Sequence, residues 1–323
     1  MEATLSELKD RIEAASSVLV ASHDRPDGDA IGSALATGLL LENLGKRVVV
    51  VNRDPVPESL AFLPGSDRIV RPGAPVGADL LIVLDSADAD RVDPAVWAMA
   101  AGAATTINLD HHISNTRFGD LAHVDPVSPA TGQLVFQLAA TGGWPLDAAI
   151  GENLLAAIST DTGSFRYSST TAETMRIAGE ILELGVDVGR LNQMLYENYP
   201  ARRVEALRVL LQGMRLDFDG RCASVKLPLA VTRDLGLQVG DTEGVVDVIR
   251  AIDTVRIAVL FEELPEGRIR VSSRSKEERY SVGAICAGFG GGGHTLAAGA
   301  RLAGPLESAE ERFLAAVGAA LDA

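Results

Sequence analysis

Short apolar runs alternate with helix-like or loop segments through the first third of the chain. The apolar runs lie at residues 17–22, 47–52, 80–85 and 105–110, and a helix-like stretch covers residues 30–44. Runs of this length that are apolar throughout are typical of strands buried on both faces. Their spacing indicates βαβ units. The pattern therefore predicts an α/β fold in which helices cover both faces of a parallel sheet.

Helical periodicity predicts the elements that flank this region. Leu5, Leu8 and Ile12 stand among charged residues and predict a short amphipathic N-terminal helix. Three further helices are predicted at residues 129–141, 146–158 and 172–184. Gly185 follows the last of them, as expected after a helix C-terminus. Residues 188–211, which include Pro200, predict an exposed helical connector.

The last third of the chain has a different pattern. Asp219-Gly220 separates β-type residues 214–218 from 222–227, and Pro265-Glu266-Gly267 separates 255–262 from 268–273. Turn residues between two such runs predict hairpins, and helical segments lie between and after them. We therefore predict a smaller α+β domain at residues 212–323, joined by the connector 188–211 to a first domain at residues 1–187.

Composition and charge narrow the functional classes. The chain has 323 residues, of which 47% are hydrophobic and 23% charged, as in ordinary globular proteins. Its 44 acidic and 29 basic residues give a net charge of -15, which disfavours binding to long nucleic acid or to anionic membranes. Cys222 and Cys286 have no zinc-site or disulfide spacing. With no apolar signal core or membrane span in sight, we expect a cytoplasmic protein.

Acidic and histidine residues follow the predicted strands where these end. The segment His23–Asp29 follows the first apolar run, Asp85 ends the third, and Asp110-His111-His112 ends the fourth. Asp161 lies just past the helix predicted at 146–158. Because the carboxyl ends of parallel strands meet at one edge of a sheet, we expect these residues to share a site.

The charges in such a site predict its chemistry. Asp27, Asp29, Asp85 and Asp161 would repel one another if they were gathered without counter-charge. Two divalent cations would neutralise the four carboxylates. Oxygen and imidazole ligands together suit manganese best. Iron, cobalt and zinc are also possible, and magnesium and calcium fit less well. A pair of such ions can bind a phosphoryl group and activate a water molecule, which predicts phosphoester hydrolysis.

Two simpler interpretations of single motifs fail. Residues 24–29 have alternating acids like a calcium loop, but Pro26 stands where that loop needs a ligand and no glutamate follows at the required distance. Residues 288–293 match GxGxxG, but they come too near the C-terminus for a dinucleotide-binding βαβ unit to follow. The hypothesis of a metal site depends on the whole set of motifs and on no single one.

These motifs, together with Gly290–Gly293 and His294 downstream, resemble those of the DHH phosphoesterase superfamily in the same order. The chain is similar to the branch that carries the first type of DHH-associated C-terminal domain. Within the superfamily it most resembles the bacterial nanoRNases, which degrade very short oligonucleotides and remove the 3'-phosphate of pAp. The resemblance covers most of the chain.

The resemblance implies a role for each motif residue. One metal would be held by His23, Asp27 and Asp85, and the other by Asp29, Asp85, His111 and Asp161, with Asp85 bridging the two ions. Asp110 would orient a histidine. His112 would face the substrate and would be catalytic, as would Asp85. The second domain would bind the nucleotide through Arg274, Gly291, Gly292, Gly293 and His294, because glycines let the backbone approach a phosphate and arginine donates two hydrogen bonds to it.

The expected activity is that of a manganese-dependent phosphodiesterase and 3'(2'),5'-bisphosphate nucleotidase. Its partners would be short oligonucleotides and pAp-like nucleotides, with no long nucleic acid and no membrane, and the resemblance implies a homodimer. Two alternatives remain open: a phosphodiesterase for cyclic dinucleotides, and a nucleotide sensor without catalysis. Every expected ligand type is present, which disfavours the sensor.

Overall fold

Five parallel strands form the first sheet, as the apolar runs predict. The computed structural model describes residues 2–238 and 240–322. The strands are β1 (Ser17–Ser22), β2 (Arg47–Val51), β3 (Leu80–Leu84), β4 (Thr105–Asp110) and β5 (Leu121–Val124). Their order across the sheet is β2-β1-β3-β4-β5, and each neighbouring pair is parallel. The four predicted strands are confirmed, and β5 is an addition that the apolar pattern did not predict.

Seven α-helices accompany this sheet in the part of the chain that the structure describes. They are α1 (Leu5–Ala14), α2 (Gly28–Asn43), α3 (Pro94–Met99), α4 (Thr131–Gly142), α5 (Ala148–Asp161), α6 (Ala172–Glu183) and α7 (Val188–Tyr196). Three short 3-10 helices lie at Glu58–Leu60, Ser66–Arg68 and Ala89–Arg91. The predicted helices are confirmed to within three residues at either end. Asp161, however, is the last residue of α5 and does not lie beyond its end.

Both faces of the parallel sheet are covered, which explains why its strands are apolar throughout. Val20 and Ile82 point to one face, where they join a core with residues of α1, α2, α4 and α5. Their strand neighbours Leu19 and Leu81 point to the opposite face and pack with Val96 of α3. Successive strand residues thus enter two different cores.

A mixed six-stranded sheet forms the second compact unit. Its strands are β6 (Arg215–Asp217), β7 (Cys222–Leu227), β8 (Ile257–Glu263), β9 (Arg268–Ser275), β10 (Gly292–Gly293) and β11 (Ala297–Ala303), in the order β10-β11-β9-β8-β7-β6. Its helices are α8 (Ala201–Gln212), α9 (Leu229–Asp234), α10 (Val245–Arg250), α11 (Val282–Ala287) and α12 (Leu306–Leu321). Both predicted hairpins are confirmed, since β6–β7 and β8–β9 are antiparallel. The α+β character of this part is therefore also confirmed.

The chain divides into two compact units, Met1–Asn198 and Tyr199–Ala323. The predicted connector forms two helices. Leu191 of α7 is buried in the core of the first unit, and Leu210 of α8 is buried in a core of the second. Pro200 caps the N-terminus of α8. The boundaries at residues 187 and 212 stay a prediction.

Within the described ranges, no helix is both long enough and apolar enough to cross a membrane.

Candidate metal centre

The acidic and histidine residues gather at the carboxyl edge of the parallel sheet. His23 follows β1, Asp85 follows β3, and His111 follows β4; all three are at most 4% exposed. Asp85 has a φ of 55°, in the left-handed region that non-glycine residues rarely occupy. Such a conformation costs about 1–3 kcal/mol and is concentrated at functional sites. The gathering expected from strand order is therefore present.

The first group of candidate ligands is His23, Asp27 and Asp85. The Nε2 atom of His23 lies 3.5 Å from Oδ2 of Asp85 and 3.9 Å from Oδ1 of Asp27. Its Nδ1 atom lies 2.8 Å from the carbonyl oxygen of Asp24, to which it can donate. That hydrogen bond would leave Nε2 as the nitrogen that can bind a metal ion. One donor atom from each of the three residues lies within 4.8 Å of the others.

The second group is Asp29, His111 and Asp161. The Nε2 atom of His111 lies 3.2 Å from Oδ2 of Asp161, 3.7 Å from Oδ2 of Asp29 and 3.5 Å from Oδ1 of Asp85. Its Nδ1 atom lies 3.2 Å from the carbonyl oxygen of Ser128. Asp85 thus contacts His111 through one carboxylate oxygen and His23 through the other. This is the geometry of a carboxylate shared by two sites.

Close packing of α2 against α5 brings Asp29 to Asp161. A Cβ atom on Gly28 would lie 2.4 Å from the hydroxyl oxygen of Thr160, and one on Gly32 would lie 2.5 Å from the carbonyl oxygen of Asn153. Both distances are shorter than ordinary Cβ contacts, so any side chain at either position would force its neighbours to shift. The first turn of α2 therefore lies beside the last turn of α5, where Asp161 stands.

The N-terminus of α4 binds the carboxylate of Asp29. Oδ2 of Asp29 accepts a hydrogen bond from the backbone N–H of Thr131 at 2.6 Å, and Oδ1 accepts from that of Gly132 at 2.9 Å. The hydroxyl of Ser33 adds a third bond at 2.9 Å. The hydroxyl of Thr131 donates to Oδ1 of Asp85 at 3.2 Å. Our sequence analysis missed Thr131, although the start of a predicted helix is a place where carboxylates bind.

Asp110 and His112 form a hydrogen-bonded pair beside these groups. Oδ1 of Asp110 lies 2.8 Å from Nδ1 of His112, and Oδ2 accepts a hydrogen bond from the amide of Asn115 at 2.5 Å. Nδ1 of His112 also lies 3.6 Å from Oδ1 of Asp85. The carboxylate of Asp110 is fully buried. Asn115 is a second residue that our sequence analysis missed.

Burial and mutual repulsion shift the pKa values in the centre. Burial and the carboxylates of Asp85 and Asp161 raise the pKa of Asp29 well above its ordinary value. Burial would also raise the pKa of Asp85, but its contacts with His111 and His23 hold that pKa well below the ordinary value. Burial would lower the pKa of His111, yet Asp161 and Asp85 raise it well above the ordinary value. Protons on the histidines thus compensate the negative charge of the carboxylates, and bound cations can supply this positive charge instead.

The donor set fits divalent cations. Two groups of oxygen and imidazole donors meet at Asp85, and carboxylate with imidazole is a ligand set for manganese, iron, cobalt or zinc. The two candidate histidines, His23 and His111, each have Nδ1 near a backbone carbonyl, which is a common support for metal-bound histidine. The centre can therefore hold metal by the chemistry of its side chains.

The remaining predicted site residues lie in the second unit. Arg274 is on β9 and Gly292 and Gly293 form β10. A Cβ atom on Gly291 would lie 2.2 Å from the carbonyl oxygen of Gly299, and one on Gly293 would lie 2.6 Å from that of Ala297. The N–H of Gly291 donates to Cys286 and that of His294 to Ala297. The glycines thus allow close backbone packing, and the N–H groups of Gly291 and His294, at the predicted phosphate site, already donate hydrogen bonds within the fold.

Family models match both parts of the chain. The model described as the DHH family, N-terminal domain, matches residues 17–158. The model of the DHHA1 domain matches residues 226–323. The first region contains β1 to β5 and most of the candidate ligands, and the second contains β8 to β11 and the glycines at 290–293.

Curated relatives match over nearly the whole length. The bifunctional oligoribonuclease and PAP phosphatase NrnA of Thermus thermophilus is 38% identical over 303 residues, which are 93% of this chain and 89% of the relative. The protein of the same description from Bacillus subtilis is 29% identical, over 88% of this chain and 89% of its own.

Solved structures share the fold. An exopolyphosphatase-related protein from Bacteroides fragilis is 28% identical, with a TM-score of 0.87, and the match covers 97% of this chain and 95% of that one. RecJ from Thermus thermophilus in complex with Mn2+ is 16% identical, with a TM-score of 0.55, over 99% of this chain and 55% of that one. The second likeness is one of fold alone.

Proposed function

The chain belongs to the DHH family of phosphoesterases, and on this premise we propose that it hydrolyses short oligoribonucleotides and removes the 3'-phosphate of pAp. The observation that carries the proposal is Asp85, whose two oxygens face two separate groups of candidate metal ligands. Relatives described as bifunctional oligoribonucleases and PAP phosphatases match over 93% and 88% of the chain and support the choice of substrate.

The metal ligands in this proposal are drawn from both groups. His23, Asp27 and Asp85 would hold one ion, and Asp29, Asp85, His111 and Asp161 would hold the other. We propose Mn2+ for both positions because the ligands mix carboxylate oxygen with imidazole nitrogen. Two such ions, when bound, supply an activated water near neutral pH and neutralise the charge of the phosphoryl group.

The protein's own residues supply the proton transfer and the buried surroundings. Asp110 accepts the hydrogen on Nδ1 of His112, so that when the ring is protonated its second proton is on Nε2. That proton would pass to the leaving oxygen of the substrate and leave a neutral ring. The near-complete burial of Asp29, Asp85 and His111 keeps bulk water from their ligating atoms and strengthens their interactions.

In the second unit, substrate phosphate would be bound by Arg274, Gly291, Gly292, Gly293 and His294. Arg274 suits this task because a guanidinium group can donate two hydrogen bonds to one phosphate. A chain with a net charge of -15 favours short substrates over long nucleic acid. We also propose that the protein works in the cytoplasm as a homodimer.

A substrate panel tests the proposal. Purified protein is freed of metal with a chelator, reloaded with Mn2+, Mg2+, Co2+ or Zn2+, and assayed with pAp, pApA, a five-residue oligoribonucleotide and cyclic di-AMP. We expect hydrolysis of pAp and of the short linear substrates to be fastest with Mn2+. Faster cleavage of the cyclic compound than of pApA would indicate the cyclic-dinucleotide phosphodiesterase instead. Binding of pAp without turnover under every metal condition would indicate a sensor.

A further inference from the structure

An amide in the turn after β4 donates a hydrogen bond to the carboxylate next to His112. We propose that Asn115 is a positioning residue that holds Asp110, and through it His112, in one orientation. The inference rests on the proposed function, in which His112 transfers a proton. Asn115 itself lies five residues beyond Asp110, in a turn whose N–H at position 115 bonds the carbonyl oxygen of His112 at 3.1 Å.

The contacts of Asn115 fix which way its amide faces. Its Oδ1 accepts the backbone N–H of Arg117 at 2.5 Å, so the oxygen side of the amide is occupied. Its Nδ2 then donates to Oδ2 of Asp110 at 2.5 Å, with Oδ1 of Asn108 at 2.9 Å and the carbonyl oxygen of Ser86 at 3.1 Å also within reach. A flipped amide would place oxygen against these three acceptors. Nδ2 therefore stays on Asp110.

This arrangement occupies both oxygens of a fully buried carboxylate. Oδ2 of Asp110 accepts from Asn115 and Oδ1 accepts from Nδ1 of His112 at 2.8 Å. The hydrogen of a neutral His112 ring is thereby placed on Nδ1. A competing acceptor is close, because Oδ1 of Asp85 lies 3.6 Å from the same nitrogen. With both of its oxygens fixed, Asp110 keeps the imidazole from turning to Asp85, a proposed metal ligand.

The neighbouring residue Thr116 provides a control for simple anchoring of the turn. Its backbone N–H and its hydroxyl both bond the carbonyl oxygen of Ala87, at 2.8 and 3.3 Å. The Thr116→Val variant removes the hydroxyl bond and leaves Asp110 untouched. Asn115→Asp keeps an oxygen for the N–H of Arg117 but loses the donor to Asp110, and Asn115→Ala loses both.

The first measurement is steady-state kinetics of the full-length, Mn2+-loaded protein with pAp. For both Asn115 variants we expect kcat to fall about 10–100-fold with KM changed less than about 2-fold, as for other residues that orient a site side chain. For Thr116→Val we expect both constants within about 2-fold of the wild type. A kcat within about 3-fold of the wild type in both Asn115 variants overturns the proposal.

The second measurement does not depend on hydrolysis. Long-range proton–nitrogen NMR of the metal-free full-length protein, at a pH where the ring is neutral, reports which nitrogen of His112 carries hydrogen, with His112→Gln used to assign the signal. We expect the Nδ1–H signal of His112 at one position in the wild type and in Thr116→Val. We expect it displaced in Asn115→Ala, because the hydrogen on Nδ1 would then be shared between Asp110 and Asp85. An unchanged His112 pattern in Asn115→Ala overturns the proposal. If the wild type hydrolyses no substrate, the proposed function fails, while this comparison still decides the role of Asn115.

Discussion

The two sheets of this protein differ in where their buried polar groups lie. In the first unit, all five strands run the same way, and His23, Asp85 and His111 follow three of them at one edge. In the second unit, most neighbouring strands are antiparallel, so their ends alternate between edges. Two buried acidic residues of this unit are each paired with basic side chains, Asp241 with Arg202 and Glu310 with Lys226 and Arg215. Parallel strand order gathers charge from distant parts of the sequence, and antiparallel order disperses it.

The two units also differ in how the charge of their buried carboxylates is compensated. Carboxylates in the first unit lie close to one another, and burial with like charge raises the pKa of Asp29. Glu310 instead has a cation on each oxygen, Lys226 at 2.9 Å and Arg215 at 3.4 Å. The first arrangement calls for an external cation, whereas the second is complete within the chain.

The largest expected difference in activity is between two single variants, each of which removes the charge of one buried carboxylate, one in each unit. Asp85→Asn should lower kcat at least about 100-fold, because a shared ligand matters more than a residue that only orients one. Glu310→Gln should leave kcat unchanged and lower the free energy of unfolding by about 1–2 kcal/mol, since Lys226 and Arg215 are partly exposed. Kinetics and urea unfolding of both variants measure this. Equal losses of activity would contradict the division of roles.

Metal loading should distinguish the units next. Cations that bind only the folded protein stabilise it by about 2.7 kcal/mol at a free concentration 100 times Kd. We expect added Mn2+ to slow hydrogen exchange around His23, Asp85 and His111 in the first unit. Exchange in β8 and β9 of the second unit should be unchanged. Mass spectrometry of peptides with and without metal measures both, and protection confined to the second unit would refute the site.

Two glycines give a smaller, matched effect. Gly32→Ala in α2 should destabilise the protein by about 1–3 kcal/mol, because the new methyl group would meet the backbone of Asn153 and push α2 away from α5. Gly179→Ala in α6 has no neighbouring atom within 4 Å and should stabilise by about 0.5–1 kcal/mol. Thermal and urea unfolding compare them, with Mn2+ affinity as a second readout. Similar effects of the two variants would show that α2–α5 contact is not tight.

The smallest effect concerns a thiol in the second unit. Burial raises the pKa of Cys222 to about 12. Folding thus favours the neutral thiol, so its contribution to stability is full below the unfolded pKa of about 8.5 and is lost as pH rises towards the folded value. We expect iodoacetamide to label Cys222 in urea but hardly at all in the native protein at mildly alkaline pH. Rapid native labelling, read by mass spectrometry, would contradict this.

The sequence predicted those parts of the fold that follow from apolar periodicity. Strands β1 to β4 are continuous apolar runs and were predicted to within one residue. Strand β5 has four residues and includes His123, and β10 and β11 are rich in glycine and alanine. None of these strands shows a continuous apolar run or an alternation of apolar and polar residues, so none of them was predicted. Helix α5 continues to Asp161, where Thr160 and Thr162 bond carbonyl oxygens of the preceding turn.

The sequence predicted the charged residues of the candidate site but not its neutral ones. His23, Asp85, His111 and Asp161 stand out because acids and histidines at the ends of apolar segments are conspicuous. Asn115 and Thr131 are neutral turn or helix-start residues, which occur throughout any chain for local reasons. Their importance comes from contacts with Asp110, Asp29 and Asp85, which only the folded chain shows.

The attachment of Asp29 to the first turn of α4 constrains how this protein can change over evolution. The same helix carries Leu134 and Leu138 into the core of the first unit. A substitution deep in that core that tilts the helix would shift the N–H groups of Thr131 and Gly132, and with them the carboxylate they hold. Interior residues of α4 with no chemistry of their own can therefore disturb the candidate metal centre when they are substituted.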